Sequence, residues 1–492
     1  MHSTESSDSL NAAQRAAVGG VLGAYPVADE LGRRFQQAGF RLALVGGSVR
    51  DALLGRLGND LDFTTDARPE QILALLKPWA DAIWDVGIAF GTVGARKKAR
   101  PTADPVHGEL FDFQIEITTY RSEAYDRDSR KPEVSYGDTI EEDLLRRDFT
   151  VNAMAVALPE LVFVDPHHGL ADLAAKLLRT PGTPEQSFSD DPLRMLRAAR
   201  FAAQLDFEVA PEVVTAMTEM AERIDIVSAE RVQAELNKLL LSAHPRQGLL
   251  LLVDTGLAAR VLPELPALRL ERDEHHRHKD VYDHSLTVLE QAIDLETEGP
   301  DLTLRLAALL HDIGKPRTRR FEEGGGVSFH HHELVGAKMA KKRMRELKYS
   351  NELIADVSRL VELHLRFHGY GEGEWTDSAV RRYVRDAGPL LERLHKLTRS
   401  DCTTRNRKKA AALSRTYDAL EQRIAVLQER EELDAIRPDL NGDEIMALLG
   451  IKPGREVGEA YKFLLELRLE NGPMGPEAAE AALRAWWAGR QG

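Results

Sequence analysis

Between positions 40 and 164 short apolar runs alternate with polar and helix-forming stretches. The runs at 42–45, 61–64, 92–95, 111–119 and 161–164 are the right length for strands, and the last but one alternates apolar and polar residues with period two. Beyond Ala171 the apolar residues recur at three- and four-residue spacing, as in Arg231-Val232-Gln233-Ala234-Glu235-Leu236, which predicts helices almost to the end of the chain. The positions before 31 predict a tail with one short helix. A Pro- and charge-marked break between 262 and 273 divides the helical part, and the segment from 436 onward has its own Gly and Pro punctuation. No internal repeat is visible. The pattern predicts an α+β fold in which a small mixed-sheet head precedes a long all-helical body.

The chain has 492 residues, room for several domains, and a composition of 43% hydrophobic and 29% charged residues, ordinary for a globular protein. No apolar run approaches the length of a membrane span, and Met1 to Ser9 lack the basic start and apolar stretch of a signal peptide. The lone cysteine, Cys402, rules out an internal disulfide and fits a reducing cytoplasm. A net charge of −14 argues superficially against nucleic acid, but phosphate contacts need a local basic surface rather than a basic average. Such local excess exists at 399–430 and in Arg96-Lys97-Lys98.

In the head, the apolar run at 42–45 enters Gly46-Gly47-Ser48 and then a helical stretch. A strand, a glycine pair and a helix start expose backbone N–H groups where a triphosphate can sit. Asn59-Asp60-Leu61-Asp62 follows, and on a strand Asp60 and Asp62 point to one face. Adjacent carboxylates repel unless a cation lies between them, and Mg2+ prefers such oxygen ligands while keeping positions for water and phosphates. A third carboxylate would complete the set. Asp112, Gln114 and Glu116 share one face of the run at 111–119, so Glu116 or Asp112 is the candidate.

Further on, Asp190-Asp191-Pro192-Leu193-Arg194 puts Asp191 and Arg194 three residues apart, which on a helix is one face. A carboxylate accepts from an exocyclic amino group, and a guanidinium donates to the neighbouring ring nitrogen. Cytosine and adenine offer that pattern; uracil and guanine do not. In the helical body His311-Asp312 closes an apolar helix, with His284 upstream and His332, His364 and Asp401 downstream. Imidazole with carboxylate suits Mn, Ni, Co, Zn or Fe.

Together these segments resemble a known family. Leu44-Val45-Gly46-Gly47-Ser48-Val49-Arg50-Asp51 with Asp60-Leu61-Asp62 is similar to the first motif of class II tRNA nucleotidyltransferases, within the polymerase-β superfamily. Arg146-Arg147-Asp148-Phe149-Thr150-Val151-Asn152 resembles the second motif, which implies that Arg147, Asp148 and Asn152 hold the sugar and phosphate end of a nucleotide. Asp165-Pro166-His167-His168-Gly169 resembles the third, hinge-like motif. Asp190 to Arg194 resembles the fourth, with Asp in place of its usual leading Glu, and Ser228-Ala229-Glu230-Arg231-Val232 with Glu235 and Lys238 resembles the fifth. Arg197 and Arg200 extend the fourth motif as further nucleotide-binding candidates. The histidine and aspartate series resembles the HD phosphohydrolase superfamily: His284, His311, Asp312 and Asp401 match its core ligands, and His332 and His364 the extra ligands of two-metal members.

The resemblance implies a head at 31–170, a neck at 171–265, an HD body at 266–410 and an RNA-binding tail at 411–492, after an N-terminal tail at 1–30. It implies transfer of CMP and AMP from CTP and ATP to the 3′ end of tRNA, with Asp60, Asp62 and Glu116 catalytic, Mg2+ in the head and a transition metal in the body. It also implies a mobile loop between Tyr120 and Tyr136. Poly(A) polymerases share the head motifs but carry a Gly-Arg-Arg-Phe element that is absent here, where Gly87-Ile88-Ala89-Phe90 stands. The alternatives are a poly(A) polymerase or a C-only or A-only adding enzyme, and an HD hydrolase whose inactive head only binds RNA. No membrane partner is expected, His275, His276 and His278 are expected to be solvated, and the sequence leaves the oligomeric state open.

Overall fold

The structure is a computed structural model that describes residues 26–491 apart from 57, 85–86, 89–90, 100–110, 122–135, 271–280, 324–325, 370–374, 405 and 432–436, together with three isolated positions before residue 26. Most of the expected N-terminal tail, the loop within 122–135 and His275, His276 and His278 lie outside the described residues. The chain forms two compact units, Met1–Val261 and Leu262–Gly492.

The first unit is built on strands β1 (Leu42–Val45), β2 (Asp60–Thr65), β3 (Ala82–Trp84), β4 (Thr92–Ala99), β5 (Phe111–Thr119), β6 (Ala155–Leu158) and β7 (Val162–Val164). They form one mixed sheet in the order β3-β4-β5-β2-β1-β6-β7. β2 and β5 run parallel, and every other pair is antiparallel. Alternation decides which way β5 faces: Phe113, Ile115 and Ile117 are fully buried while Asp112, Gln114 and Glu116 are exposed. Burying each of those apolar side chains contributes roughly 1.5–3 kcal/mol, so the register is strongly held. The pattern missed β3 and β6, the latter Ala-rich and short. The last strand starts one residue later than expected because Leu161, at φ +60°, still belongs to a turn.

From Gly169 the unit is helical except for a two-strand pair, Leu177–Leu178 with Glu208–Val209. The helices Pro184–Asp190, Leu193–Leu205 and Ala229–Leu240 carry the residues that matter below. The second unit is a set of helices with one small hairpin, Arg320–Glu322 against Gly326–Ser328. Its last three helices share a core of Ile445, Ala460, Leu464, Ala479 and Leu483, joined by Leu440 from the segment just before them. No described helix is long and apolar enough to cross a membrane.

Candidate active site and candidate metal centre

Gly46 turns the chain from β1 into the helix Gly47–Leu53 at φ +69°, a backbone conformation suited to glycine. A Cβ there would also approach Arg147 Nη1 to 2.8 Å. Ser48 is buried, and its Oγ accepts from the Asp62 N–H at 3.1 Å, so its side chain fixes the helix to β2 instead of facing the cleft. Arg50 is likewise buried. It donates to Asn152 Oδ1 at 2.6 Å and to Asp51, which braces the first and second motifs against each other.

Asp60 and Asp62 project to one face of β2, and the parallel register sets Asp62 beside Glu116 on β5. Asp112 lies two pleat repeats away, 3.7 Å from Arg96. Asp62 is open to water yet walled in at the floor of a cleft. Burial pushes its carboxyl above the ordinary range, Arg147 opposes this, and Asp60 adds to the rise. Burial, then Asp62 and Asp60, push Glu116 up as well. Such mutual repulsion among oxygen donors is what a hard cation would relieve.

The cleft has a volume of about 1010 Å3, and its lining includes Gly46, Gly47, Asp62, Arg147, Asp191 and Arg194. Asp148 is buried at its side. Against the penalty of burial, Arg197, at 2.6 and 2.8 Å, and Asn152, at 3.0 Å, hold its carboxyl well below the usual range. Arg200 pairs with the buried Glu235 at 2.6 Å and packs over Phe201.

Asp191 and Arg194 do not share a helix, contrary to expectation. The helix Pro184–Asp190 ends before Asp191, whose φ of −143° and ψ of 102° are extended, and the next helix starts at Leu193. Pro192 is the cause, since the residue before a proline is driven out of the helical region. Asp191 Oδ1 accepts from the Leu193 N–H at 3.1 Å and Oδ2 from Arg231 at 2.8 Å. Both residues nevertheless line the same cleft. Sequence reasoning did not single out Thr118, Arg121, Gln204 and Arg223, which also line it. Thr118 follows Glu116 on the same face of β5, a period-two signal that was available; the other three reach the cleft through tertiary packing.

In the second unit five helices converge their ends. His284 lies in the helix Val281–Asp294, and His332 opens His332–Glu346. His311, His364 and Asp401 each cap the C-terminus of a helix, where the backbone carbonyls favour a cation. Two sets of donors result, His284 with His311 and Asp401, and Asp312 with His332 and His364, the atoms of each lying within 4.8 Å of one another. His311, His332 and His364 direct Nδ1 to the carbonyls of Ala308, Phe329 and Val361 at 2.8, 2.8 and 2.7 Å, which turns each Nε2 inward.

Asp312 lies between the sets, Oδ2 at 3.2 Å from His311 and Oδ1 at 3.2 Å from His332. Asp312 Oδ1, His332 Nε2 and His364 Nε2 are buried without a hydrogen bond of good geometry among the described residues. Buried polar atoms left unpaired are costly, and a metal ion would satisfy all three. Burial opposes charge on His311, yet Asp312 and Asp401 draw it up to about 10, while burial and then His311 push His364 down to about 3. Gly314 lets these segments close, because a Cβ there would meet the His332 carbonyl at 2.1 Å. Lys315, one turn beyond Asp312, donates to its Oδ2 at 2.6 Å and was not foreseen from sequence.

Comparison with known proteins identifies the domains that carry these sites. Residues 42–179 match the Poly A polymerase head domain, residues 206–268 the "Probable RNA and SrmB- binding site of polymerase A", and residues 281–406 the HD domain. The chain is similar to an A-adding tRNA nucleotidyltransferase of Deinococcus radiodurans, 34% identical over 90% of this chain and 95% of that one. It is also similar to a CC-adding tRNA nucleotidyltransferase of Thermus thermophilus, 33% identical over 91% and 94% of the two chains. A crystal structure of the Bacillus stearothermophilus CCA-adding enzyme with CTP shares the fold, with a TM-score of 0.67 and 24% identity over 95% of this chain and 99% of that one. A metal-dependent polymerase head and an HD domain thus occur in one polypeptide, and the chain belongs to the class II tRNA nucleotidyltransferase family.

Proposed function

We propose that this enzyme completes the 3′ CCA of tRNA, adding CMP twice and AMP once from CTP and ATP without a nucleic-acid template. The observation that carries the reading is that one cleft is lined both by Asp62, beside Asp60 and Glu116, and by Asp191 and Arg194. Chemistry and base selection therefore face one bound nucleotide.

Asp60, Asp62 and Glu116 have the hard oxygen donors that suit Mg2+, which when bound neutralises the triphosphate and eases deprotonation of the acceptor hydroxyl. The chain's own groups do the rest. The N–H groups after Gly46 and the Arg147 guanidinium hold phosphates, and Asp148 and Asn152 hold the sugar. Asp191 accepts from the base amino group while Arg194 donates to the ring nitrogen. A wrong base leaves a buried polar group unpaired at about 1–3 kcal/mol, a discrimination of roughly five- to 150-fold. A tRNA substrate fits the cytoplasmic location expected from the sequence.

A second reading is addition of A alone or of C alone, favoured by the names of two of the full-length relatives, one A-adding and one CC-adding, whereas other relatives of similar extent are CCA-adding enzymes. For the second unit we propose hydrolysis of a phosphate ester, with His284, His311, Asp312, His332, His364 and Asp401 holding Mn, Ni, Co, Zn or Fe as the Lewis acid.

The test gives the purified enzyme and Mg2+ a tRNA lacking CCA, with CTP and ATP separately and together, beside Asp60→Ala. Two C followed by one A, absent from the variant, is the expected product. A tRNA already ending in CC is tested in parallel, since addition of A alone requires that end; a single base type moves the assignment to the second reading, and no extension of either tRNA removes both.

A further inference from the structure

In this chain the fourth motif starts with Asp190 where Glu is usual, and the structure gives that carboxylate a local partner: Gln186, one turn back, donates to Asp190 Oδ1 at 2.6 Å. Arg194 is held by other groups. Its Nη1 donates to Ser187 Oγ at 3.0 Å and to the Ser187 carbonyl at 3.3 Å, and its Nη2 to the Arg146 carbonyl at 2.5 Å. Both side chains are buried, Ser187 to 6% exposure and Arg194 to 8%. A guanidinium has five N–H donors. These contacts use three of them, leaving Nε–H and one Nη2–H outside any described hydrogen bond and free for a base.

We propose that Ser187 is a specificity-positioning residue, and that its hydroxyl, with the Arg146 carbonyl, sets the plane of the Arg194 guanidinium toward the nucleotide base. The proposal rests on Arg194 being the base reader. Three features support it. Ser187 Oγ is the only side-chain hydroxyl among the described partners of Arg194, and a hydrogen bond from a charged donor is stronger and more directional than a neutral one. A long arginine side chain has several rotatable bonds, so a buried anchor at Nη1 removes the freedom that would blur recognition. The second anchor, Arg146, immediately precedes Arg147 and Asp148, so the guanidinium is referenced to the segment that holds the rest of the nucleotide.

The test measures kcat/KM for single-nucleotide addition with the cognate nucleotide, whichever of CTP and ATP the wild type uses, and with UTP and GTP. The proteins compared are wild type, Ser187→Ala, Ser187→Thr and Asp190→Ala, each checked for an unchanged melting transition. Wild type that adds no nucleotide removes the functional reading itself. With wild type active, Ser187→Ala should lower the cognate-to-UTP ratio by about tenfold, as expected for one charged hydrogen bond. Ser187→Thr, which keeps an Oγ, should retain the ratio. The proposal is overturned if Ser187→Ala keeps the wild-type ratio, or if it slows all nucleotides equally. It is also overturned if Asp190→Ala loses discrimination while Ser187→Ala does not.

Discussion

The two candidate sites solve the problem of gathering negative charge in opposite ways. In the first unit Asp60, Asp62 and Glu116 stand on adjacent parallel strands, on the side of the sheet that faces a cleft, and are open to water. In the second unit His311, Asp312 and His364 are all but inaccessible, and three imidazoles are each fixed by a carbonyl of their own chain. An open carboxylate set can exchange its ion with every substrate, as suits an ion that arrives with a triphosphate. A buried, tautomer-locked set suits the retention of one, as proposed above for the second unit.

The sharpest way to break this contrast is to remove one carboxylate from each site. Asp62→Ala should lower nucleotide addition by about 10³-fold, since a catalytic cation contributes several kcal/mol, while metal content after dialysis stays at the wild-type level. Loss of the retained metal in that variant would mean that the two sites are not independent. Asp312→Ala should do the reverse, lowering metal retention by about 100-fold by elemental analysis while leaving single-nucleotide addition within about twofold of wild type.

A finer cut compares the two candidates for the third head carboxylate. Glu116→Gln should slow addition by about 100-fold and Asp112→Asn by less than about threefold, with kcat as the readout. Equal losses would show that the register of β2 with β5 does not select the third group.

The smallest effect is a proton count. Burial disfavours the charged form of His311, but Asp312 and Asp401 outweigh it and raise its pKa to about 10, so the metal-free protein holds that proton at pH 7. Metal entering the second unit must displace it, and binding should release about one proton from His311, whereas His364, at about 3, is already neutral. Apparent affinity should then weaken about tenfold for each pH unit below neutrality. Titration calorimetry in buffers of different ionisation enthalpy measures the release; zero protons at pH 7 would contradict the charge state assigned to His311.

Much of this was legible in the sequence, and the gaps have physical causes. Alternation was enough to place Asp60 and Asp62 on one face of a strand. It could not distinguish Glu116 from Asp112, because a period of two fits both; pairing across about fifty residues of chain puts Glu116, and not Asp112, beside Asp62. For Asp191 and Arg194 the three-residue spacing suggested one helix, although Pro192 already forbade it. That signal is local: an Asp before a proline at a helix start commonly accepts from the first helical N–H groups, as Asp191 does from Leu193. The anchors of Arg194 at Ser187 and Arg146 depend on how the helix ends pack, which no periodicity reports. In the second unit the candidate ligand residues could be named from their order, but Lys315 beside Asp312 and Thr403, 3.1 Å from His284 Nδ1, came only with the fold.

The parallel pairing of β2 with β5 runs in register over six residues, from Asp60 with Gln114 to Thr65 with Thr119. It acts as a ruler, and it divides the head into places where chain length can vary and places where it cannot. Extra residues between β4 and β5 leave the ruler intact, so insertions there should be tolerated and the segment could accept a tag. Deleting a single residue between Phe111 and Glu116 would instead advance one side of the ruler by one mark. An isoleucine would then stand beside Asp62, and Glu116 would point into the core.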